Sequence, residues 1–225
     1  MRLLRRRPRT FDIQVQDMVL HVTAAGDLGE ETRAAALSFW EQLHAYALRD
    51  PAVRTSKRPV EVGADAPEIV REMAAAAARA GVGPMYSFRG ALADHVGRFL
   101  ARELDEVTVG CGGDFFIAAR KRQKLTIRTE SAEGRHVAIV VPPERGGLGV
   151  STAAGGGAAP ADGLAVLADS SMLAAAAAAG VRAILPKEDG LRLALAYLRR
   201  VPGVRGGVVV RGDRIGLAGG VEVAA

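Results

Sequence analysis

The 225-residue sequence predicts an α+β fold made of two similar halves packed around one shared core. Segments with alternating apolar residues, typical of strands, are interspersed with segments that have the apolar spacing of helices. A helix followed by a hairpin occurs twice, over 91–128 and again over 188–217. Hydrophobic residues make up 49% of the chain and charged residues 24%, a balance typical of a folded protein.

Alternating and helical spacings of apolar residues, together with boundary residues, predict the elements of the first half. Pro67 fits the first turn of a helix, and Gly81 fits a helix end. The elements predicted in this half are a strand or hairpin over 10–22, helices over 30–49, 67–80 and 91–104, an irregular segment over 51–64 and a short strand over 106–109.

The first half ends with two apolar segments, 115–119 and 124–128, on either side of a basic turn. This arrangement predicts a hairpin. The segment 142–160 is rich in glycine and proline and is predicted to be a long loop. The later elements predicted are a strand over 136–141, an alanine-rich helix within 161–180, with or without a short strand at 164–167 before it, a helix over 188–200 and a hairpin over 206–217.

The composition excludes several classes of protein. Cys111 is the single cysteine, so the chain forms no intramolecular disulfide and no multi-cysteine zinc or iron–sulfur site. The longest apolar run, 172–181, is too short for a bilayer, which takes about 20 residues. No apolar signal segment follows the basic start. We therefore expect a cytoplasmic protein without a membrane partner.

The positive charge is concentrated at the N-terminus. Five of the 30 basic residues and no acidic residue lie in residues 1–10, which leaves 25 basic and 25 acidic residues in the rest. Nucleic-acid-binding domains usually carry their basic patch on the folded body. We therefore interpret residues 1–10 as a basic arm and 11–225 as one domain of two halves, and we do not expect a nucleic-acid partner.

Candidate functional residues cluster around glycines. Cys111 lies between glycines at a predicted strand end, where a small buried residue is the first interpretation and a thiol with a pKa lowered by backbone amides is the alternative. Gly112 and Gly113 let the backbone approach a ligand closely, and Asp114 offers a carboxylate for a hydroxyl or ring nitrogen. A tight turn capped by the aspartate is the alternative. None of the four histidines belongs to a metal-binding or catalytic motif.

Two stretches resemble an archaeal and bacterial (UPF-series) branch of the ApbE-like superfamily. They are V-G-P-M at 82–85 followed by G-A-L-A-D-H-V-G at 90–97, and G-C-G-G-D at 110–114, where that branch has E-N-G-G-D. A serine–threonine segment at 149–152 and the terminal hairpin follow in the family's order, so that the resemblance covers 11–223.

The resemblance implies the ApbE-like fold, with a ligand pocket between the two halves. ApbE proper takes FMN from FAD and joins it to a threonine or serine of a target protein, with magnesium at the pyrophosphate. FAD and FMN are therefore candidate ligands. The positions that the resemblance implies for binding them are Gly83, Pro84, Met85, Gly112, Gly113, Asp114, Ser151 and Thr152.

The sequence departs from the family pattern where the metal would bind. Segment 153–159 lacks the family's histidine, and Ala175 and Ala179 stand where the family has an aspartate and a threonine. Magnesium prefers oxygen ligands, which alanine lacks. We therefore do not expect a magnesium site, and we expect a protein that binds a flavin, a nucleotide or a pterin-like molecule without magnesium-dependent FMN transfer.

Two alternatives remain open. The first is an active enzyme, either resembling the flavin transferases or using a different site, with candidate groups Cys111, Asp114, Ser151, Thr152 and Asp162. The second is a non-catalytic assembly subunit. Its contacts would be the basic arm and the small-residue helix 173–180, because small residues allow close approach, and a homo-oligomer or a protein partner is then expected.

Overall fold

A computed structural model describes residues 8–26, 28–128, 136–154 and 161–224. The strands within these ranges are β1 (Arg9–Val15), β2 (Met18–Ala24), β3 (Val107–Cys111), β4 (Asp114–Ala119), β5 (Gln123–Arg128), β6 (His136–Val141), β7 (Glu144–Ala154), β8 (Gly163–Ala168), β9 (Val204–Arg211), β10 (Arg214–Gly219) and β11 (Glu222–Ala224). The α-helices are α1 (Gly29–Arg49), α2 (Pro51–Thr55), α3 (Glu68–Ala80), α4 (Phe88–Ala101), α5 (Ser171–Ile184) and α6 (Gly190–Arg200). A short 3-10 helix, Pro84–Ser87, precedes α4.

One large antiparallel sheet organises the chain. Its strand order is β1-β2-β3-β4-β7-β8-β9-β10, so each half contributes four neighbouring strands. In both halves a hairpin is followed by helices and then by a second hairpin, because α1–α4 lie between β2 and β3 and α5–α6 lie between β8 and β9. A smaller sheet has the order β11-β6-β5. The predicted α+β class is confirmed.

Helix α5 lies at the centre of the core. Its residues from Ser171 to Val181 are all buried, and it contacts the helices α3, α4 and α6 and the strands β7 and β8. The alanines make this close approach of five elements possible, since they add little volume. The expectation that 173–180 forms a contact for a partner is therefore wrong, because these residues already contact the chain's own core.

The strands of the hairpin predicted over 115–128 are paired differently in the structure. Strand β4 pairs with β3 across the turn Gly112-Gly113 and with β7 on its other side. Strand β5 instead pairs with β6 in the smaller sheet. The prediction that 115–119 and 124–128 pair with each other is therefore wrong. Two glycines at positive φ, 57° and 97°, form the tighter turn and determine the pairing.

The predicted loop at 142–160 contains a central strand. Strand β7 covers Glu144–Ala154, whereas 155–160 lie outside the described residues. Its glycines allow close packing instead of a loop. A Cβ on Gly149 would lie 2.0 Å from the backbone carbon of Ser170, and one on Gly147 would lie 2.2 Å from the Phe116 ring. Glycine richness here reflects close contact of β7 with its neighbours.

The motif at 90–97 joins α4 to the start of α5. The Ser171 N–H donates to Asp94 Oδ1 at 2.8 Å, and the Met172 N–H donates to Asp94 Oδ2 at 2.9 Å. A Cβ on Gly90 would lie 2.5 Å from the carbonyl oxygen of Ser171. Gly90 therefore permits the close approach, and Asp94 accepts hydrogen bonds from two N–H groups at the first turn of α5, which have no partner within that helix.

The structure also tests the predictions for the two terminal hairpins, for the segment 51–64 and for the basic arm. Segment 10–22 is a hairpin, β1–β2, and the terminal hairpin is β9–β10, as predicted. Segment 51–64, predicted irregular, begins with the short helix α2. The arm at 1–10 lies outside the described residues up to position 7, and β1 already begins at Arg9. Within the described ranges, no helix has the length and apolar character needed to cross a membrane.

Candidate functional site

A cavity of about 780 Å³ lies between the turn that joins β3 to β4, the start of α4 and one face of α5. Most of the residues singled out in the sequence line it, together with others that the sequence did not indicate. The lining residues are Met85, Tyr86, Phe88, Arg89, Gly112, Gly113, Asp114, Ser151, Thr152, Ala175 and Arg182. The two halves of the chain both contribute to this cavity, since α4 belongs to the first half and α5 to the second.

The glycine turn is held firmly against the end of β7. The Thr152 N–H donates to the Gly113 carbonyl at 2.8 Å, and Thr152 Oγ1 donates to the same oxygen at 3.1 Å. A Cβ on Gly113 would lie 2.6 Å from the Thr152 carbonyl oxygen. These contacts bring the two segments that the sequence analysis considered separately, 112–114 and 151–152, into one wall of the cavity.

Asp114 is the carboxylate of the cavity. Ser151 Oγ donates to Asp114 Oδ1 at 2.7 Å, and Ser151 is itself buried. Burial raises the pKa of Asp114 to about 6, because a buried carboxylate loses its hydration. The hydrogen bond from Ser151 and the charges of Arg182 and Arg89 act in the opposite direction. Asp114 therefore changes protonation near neutral pH, where it can accept or donate a proton.

Arg89 and Arg182 are cavity residues that sequence reasoning missed. Arg89 packs over Gly112, where an added Cβ would lie 2.8 Å from its Cδ. Arg182 lies two helical turns after Ala175 on the same face of α5. That spacing is the signal that could have identified Arg182, whereas nothing in the sequence distinguishes Arg89 from the other arginines.

Only one residue of the V-G-P-M stretch that was predicted to bind a ligand, Met85, lines the cavity. Met85 lines the cavity beside Tyr86 and Phe88, which form an apolar and aromatic wall. Gly83 and Pro84 are buried and do not line it. A Cβ on Gly83 would lie 1.8 Å from the carbonyl oxygen of Ser56, so that this glycine serves close packing of the chain.

The remaining candidates lie outside the cavity. Asp162 accepts a hydrogen bond from the Gly212 N–H at 2.5 Å, at the turn of the last hairpin. Ala179 is buried and does not line the cavity, unlike Ala175. His95 is buried and bonds to Glu72 at 3.0 Å. His95 and Asp162 therefore have structural partners.

Cys111 is only 1% exposed and does not line the cavity. Burial, followed by the charge of Asp114, raises the pKa of its thiol to about 11. Since the thiolate is the reactive form, we expect the native thiol to react at pH 8 at least about 100-fold more slowly than the unfolded chain does. A thiol-reactive chromogenic disulfide measures both rates. Equal rates would contradict the burial of Cys111 and would favour an enzyme that uses it.

The amino-acid sequence of this chain matches a family model and resembles several known proteins. The family model described as "AbpE bacteria" matches residues 1–187. The chain belongs to this ApbE-like family. A UPF0280 protein of Methanopyrus kandleri is 32% identical over 213 residues, which cover 88% of this chain and 86% of that relative. A UPF0280 protein of Methanocella arvoryzae is 30% identical over 184 residues, covering 79% and 75%.

Solved structures show the same ApbE-like fold. The apo form of the Pseudomonas stutzeri flavinyl transferase ApbE has a TM-score of 0.61 at 15% identity and covers 100% of this chain and 96% of its own. The flavin transferase ApbE from Vibrio cholerae has a TM-score of 0.63 at 12% identity and covers 94% and 97%. At these identities the likeness establishes the fold alone.

The ApbE-like cavity of this chain does not fit a magnesium ion. Asp114 is the one carboxylate among the described residues that line it, and it already accepts a hydrogen bond from Ser151. The expected aspartate position, Ala175, contributes a methyl group to the lining. In the described part of the chain, no group of three histidine, cysteine or acidic side chains is arranged to hold a metal. Two guanidinium groups add positive charge, which disfavours a dication further.

Proposed function

We propose that this ApbE-like chain binds a flavin, or another nucleotide-like or pterin-like molecule, in the cavity and does not carry out magnesium-dependent FMN transfer. The observation that supports this most is the composition of one cavity wall. The Gly112-Gly113 turn and the pair Ser151 and Thr152 line the same space as Ala175, which replaces a metal ligand of the family pattern.

The dimensions and lining of the cavity fit such a ligand. Its volume of about 780 Å³ falls within the roughly 300–1,000 Å³ of small-molecule sites. An aromatic wall of Tyr86 and Phe88 suits a planar ring, while Asp114 offers an acceptor for a ring N–H or a hydroxyl. The flavin transferases of the same fold add support for a flavin as the first ligand to test.

Tyr86 provides the test of this location. It lines the cavity and is 43% exposed, so that its truncation removes ligand contact at small cost to the core. We expect Tyr86→Ala to weaken FMN or FAD binding about 5- to 10-fold, since an aromatic contact contributes about 0.5–1.5 kcal/mol beyond its buried area. Calorimetric titration of the purified protein measures the affinity.

Leu48 provides the control for Tyr86. It is 56% exposed on α1 and does not line the cavity. Leu48→Ala should bind the flavin with wild-type affinity. If both variants bind as the wild type does, or if FAD, FMN, ADP and a pterin all fail to bind the wild-type protein, the proposed location or the proposed function is wrong.

An acid–base enzyme is the second candidate, favoured by one observation. Asp114, with a pKa raised to about 6 by burial, lies in the cavity with the Ser151 hydroxyl 2.7 Å away. Such a pKa suits proton transfer near neutral pH. Incubation with FAD and an acceptor peptide that contains threonine separates the two candidates. Flavin transfer that requires magnesium and disappears in Asp114→Asn would overturn the main proposal.

A further inference from the structure

Arg89 and Arg182 are the two cationic side chains among the described residues that line the cavity. Within the described ranges, neither guanidinium has a carboxylate in hydrogen-bond or ion-pair distance. Other arginines of the chain do have such partners, since Arg98 bonds to Glu72 and Arg205 bonds to Asp169. The cavity therefore contains two positive charges whose hydrogen-bond donors remain available to a ligand.

The helices that carry Arg89 and Arg182 place both side chains at the cavity. Arg89 lies at the start of α4, and its Cδ, Nε and one terminal nitrogen lie within 3.0 Å of the position that a Cβ on Gly112 would take. Arg182 projects from the last turn of α5, in line with Ala175. Both are close enough to Asp114 to lower its pKa against the effect of burial. The two guanidiniums therefore act on the same region of the cavity.

We propose that Arg89 and Arg182 bind the phosphate group of the ligand directly, in place of a divalent cation. The inference rests on the proposed function, because it names the residues that contact the phosphate group of the same ligand. Two guanidiniums carry the same total charge as one magnesium ion. Each also donates paired N–H groups in a fork that matches two phosphate oxygens. The charge that a metal would supply thus comes from the protein itself.

The ligand class follows from this arrangement. A phosphomonoester carries about 1.5 to 2 negative charges at neutral pH, which the two guanidiniums neutralise. The aromatic wall of Tyr86 and Phe88 lies in the same cavity and can contact a ring. The site therefore selects a phosphorylated aromatic or heterocyclic molecule, either a phosphomonoester or a pyrophosphate. Unphosphorylated forms of the same ring are expected to bind weakly.

The test compares FMN with riboflavin, which differ only in the phosphate, in buffer that contains EDTA. We expect wild-type protein to bind FMN at least about 30-fold more tightly than riboflavin. Hydrogen bonds to a charged group contribute about 1.5–3 kcal/mol, and 1.4 kcal/mol is a tenfold change in affinity. Arg89→Gln and Arg182→Gln should therefore each weaken FMN binding about 10-fold or more, and riboflavin binding should remain unchanged.

Arg49→Gln is the matched control, because Arg49 pairs with Asp65 on the exposed surface and does not line the cavity. It should leave both affinities unchanged. Arg182→Lys keeps the charge and loses the fork, so that it should give an FMN affinity between wild type and Arg182→Gln. This variant also keeps the test decisive if a glutamine variant fails to fold.

The outcomes separate the two proposals. Equal binding of FMN and riboflavin, insensitive to both arginines, would overturn the arginine pair and leave the proposed function intact. Arginine-dependent binding of inorganic pyrophosphate, without binding of any flavin, nucleotide or pterin, would support the pair and contradict the proposed function. FMN binding that is lost in EDTA and restored by magnesium would overturn the direct arginine contact.

Discussion

Gly149→Ala is expected to lower the free energy of unfolding by about 3 kcal/mol or more, the largest stability effect that we predict. The new Cβ would lie 2.0 Å from the Ser170 carbonyl carbon and 2.1 Å from the Ser171 nitrogen. Both are backbone atoms, which cannot rotate away as a flexible side chain can. Overpacking of a rigid core costs about 1–3 kcal/mol and occasionally more. Urea denaturation of the purified variant measures the loss.

Gly146→Ala is the matched control in the same strand. A Cβ at Gly146 would meet only Glu144 Oε1, at 3.9 Å. Its effect should stay within about 1 kcal/mol, the usual range for a glycine–alanine exchange. If the two variants unfold at the same urea concentration, β7 does not approach the start of α5 as closely as the structure shows. The cavity wall at Ser151 would then also be misplaced.

Asp94→Ala is expected to destabilise the protein by about 3 kcal/mol at pH 5. The change leaves the Ser171 and Met172 N–H groups without their acceptor at the buried start of α5. Each buried unsatisfied donor costs about 1–3 kcal/mol. Ser170→Ala removes one capping bond to the Leu173 N–H and should cost about 1 kcal/mol. Urea denaturation of both variants measures the two losses.

The effect of Asp94 depends on pH with a definite sign. Burial raises the pKa of Asp94 from its ordinary value of 3.8 to about 7. The native state therefore binds the proton of the Asp94 carboxyl group more tightly than the unfolded state does. The contribution of Asp94 to the free energy of unfolding is fully present below about pH 4 and is lost as pH rises through about 7. The difference in the free energy of unfolding between wild type and Asp94→Ala should therefore narrow from pH 5 to pH 8.

Asp65→Ala is the control for Asp94, because Asp65 forms an exposed ion pair with Arg49. Such pairs contribute about 0–1 kcal/mol. A loss for Asp94→Ala no larger than that for Asp65→Ala would contradict the role of Asp94 in joining α4 to α5.

The sequence predicted the elements whose signals are local. The hairpins β1–β2 and β9–β10 show alternation on both sides of a short turn, and α3 ends at a glycine in the left-handed conformation. Strand β7 was missed because its glycines resemble loop residues until their neighbours are known. The pairing of β11 with β6 joins segments about 80 residues apart, and no local pattern encodes such a contact.

The sequence predicted only part of the candidate site, because only some of its residues belong to a recognisable local pattern. The glycine turn and the segment 151–152 have recognisable residue patterns, and the structure brings them to one cavity. Nothing in the sequence distinguishes Arg89 among the 30 basic residues of the chain, and only its spacing from Ala175 on α5 could have identified Arg182. Their place in the same cavity depends on the antiparallel pairing that places the β3–β4 turn beside α5. Two residues named with the site, Gly83 and Pro84, are instead buried and do not line the cavity.

The central claim is that the cavity binds its ligand without a divalent cation, and calorimetric titration of wild-type protein with FMN tests it most directly. The titration is carried out once in EDTA and once in magnesium. We predict saturable binding in EDTA and an affinity within about twofold of that value in magnesium, because Arg89 and Arg182 supply the positive charge. Binding seen only with magnesium would contradict the claim and would indicate a metal-dependent transferase site.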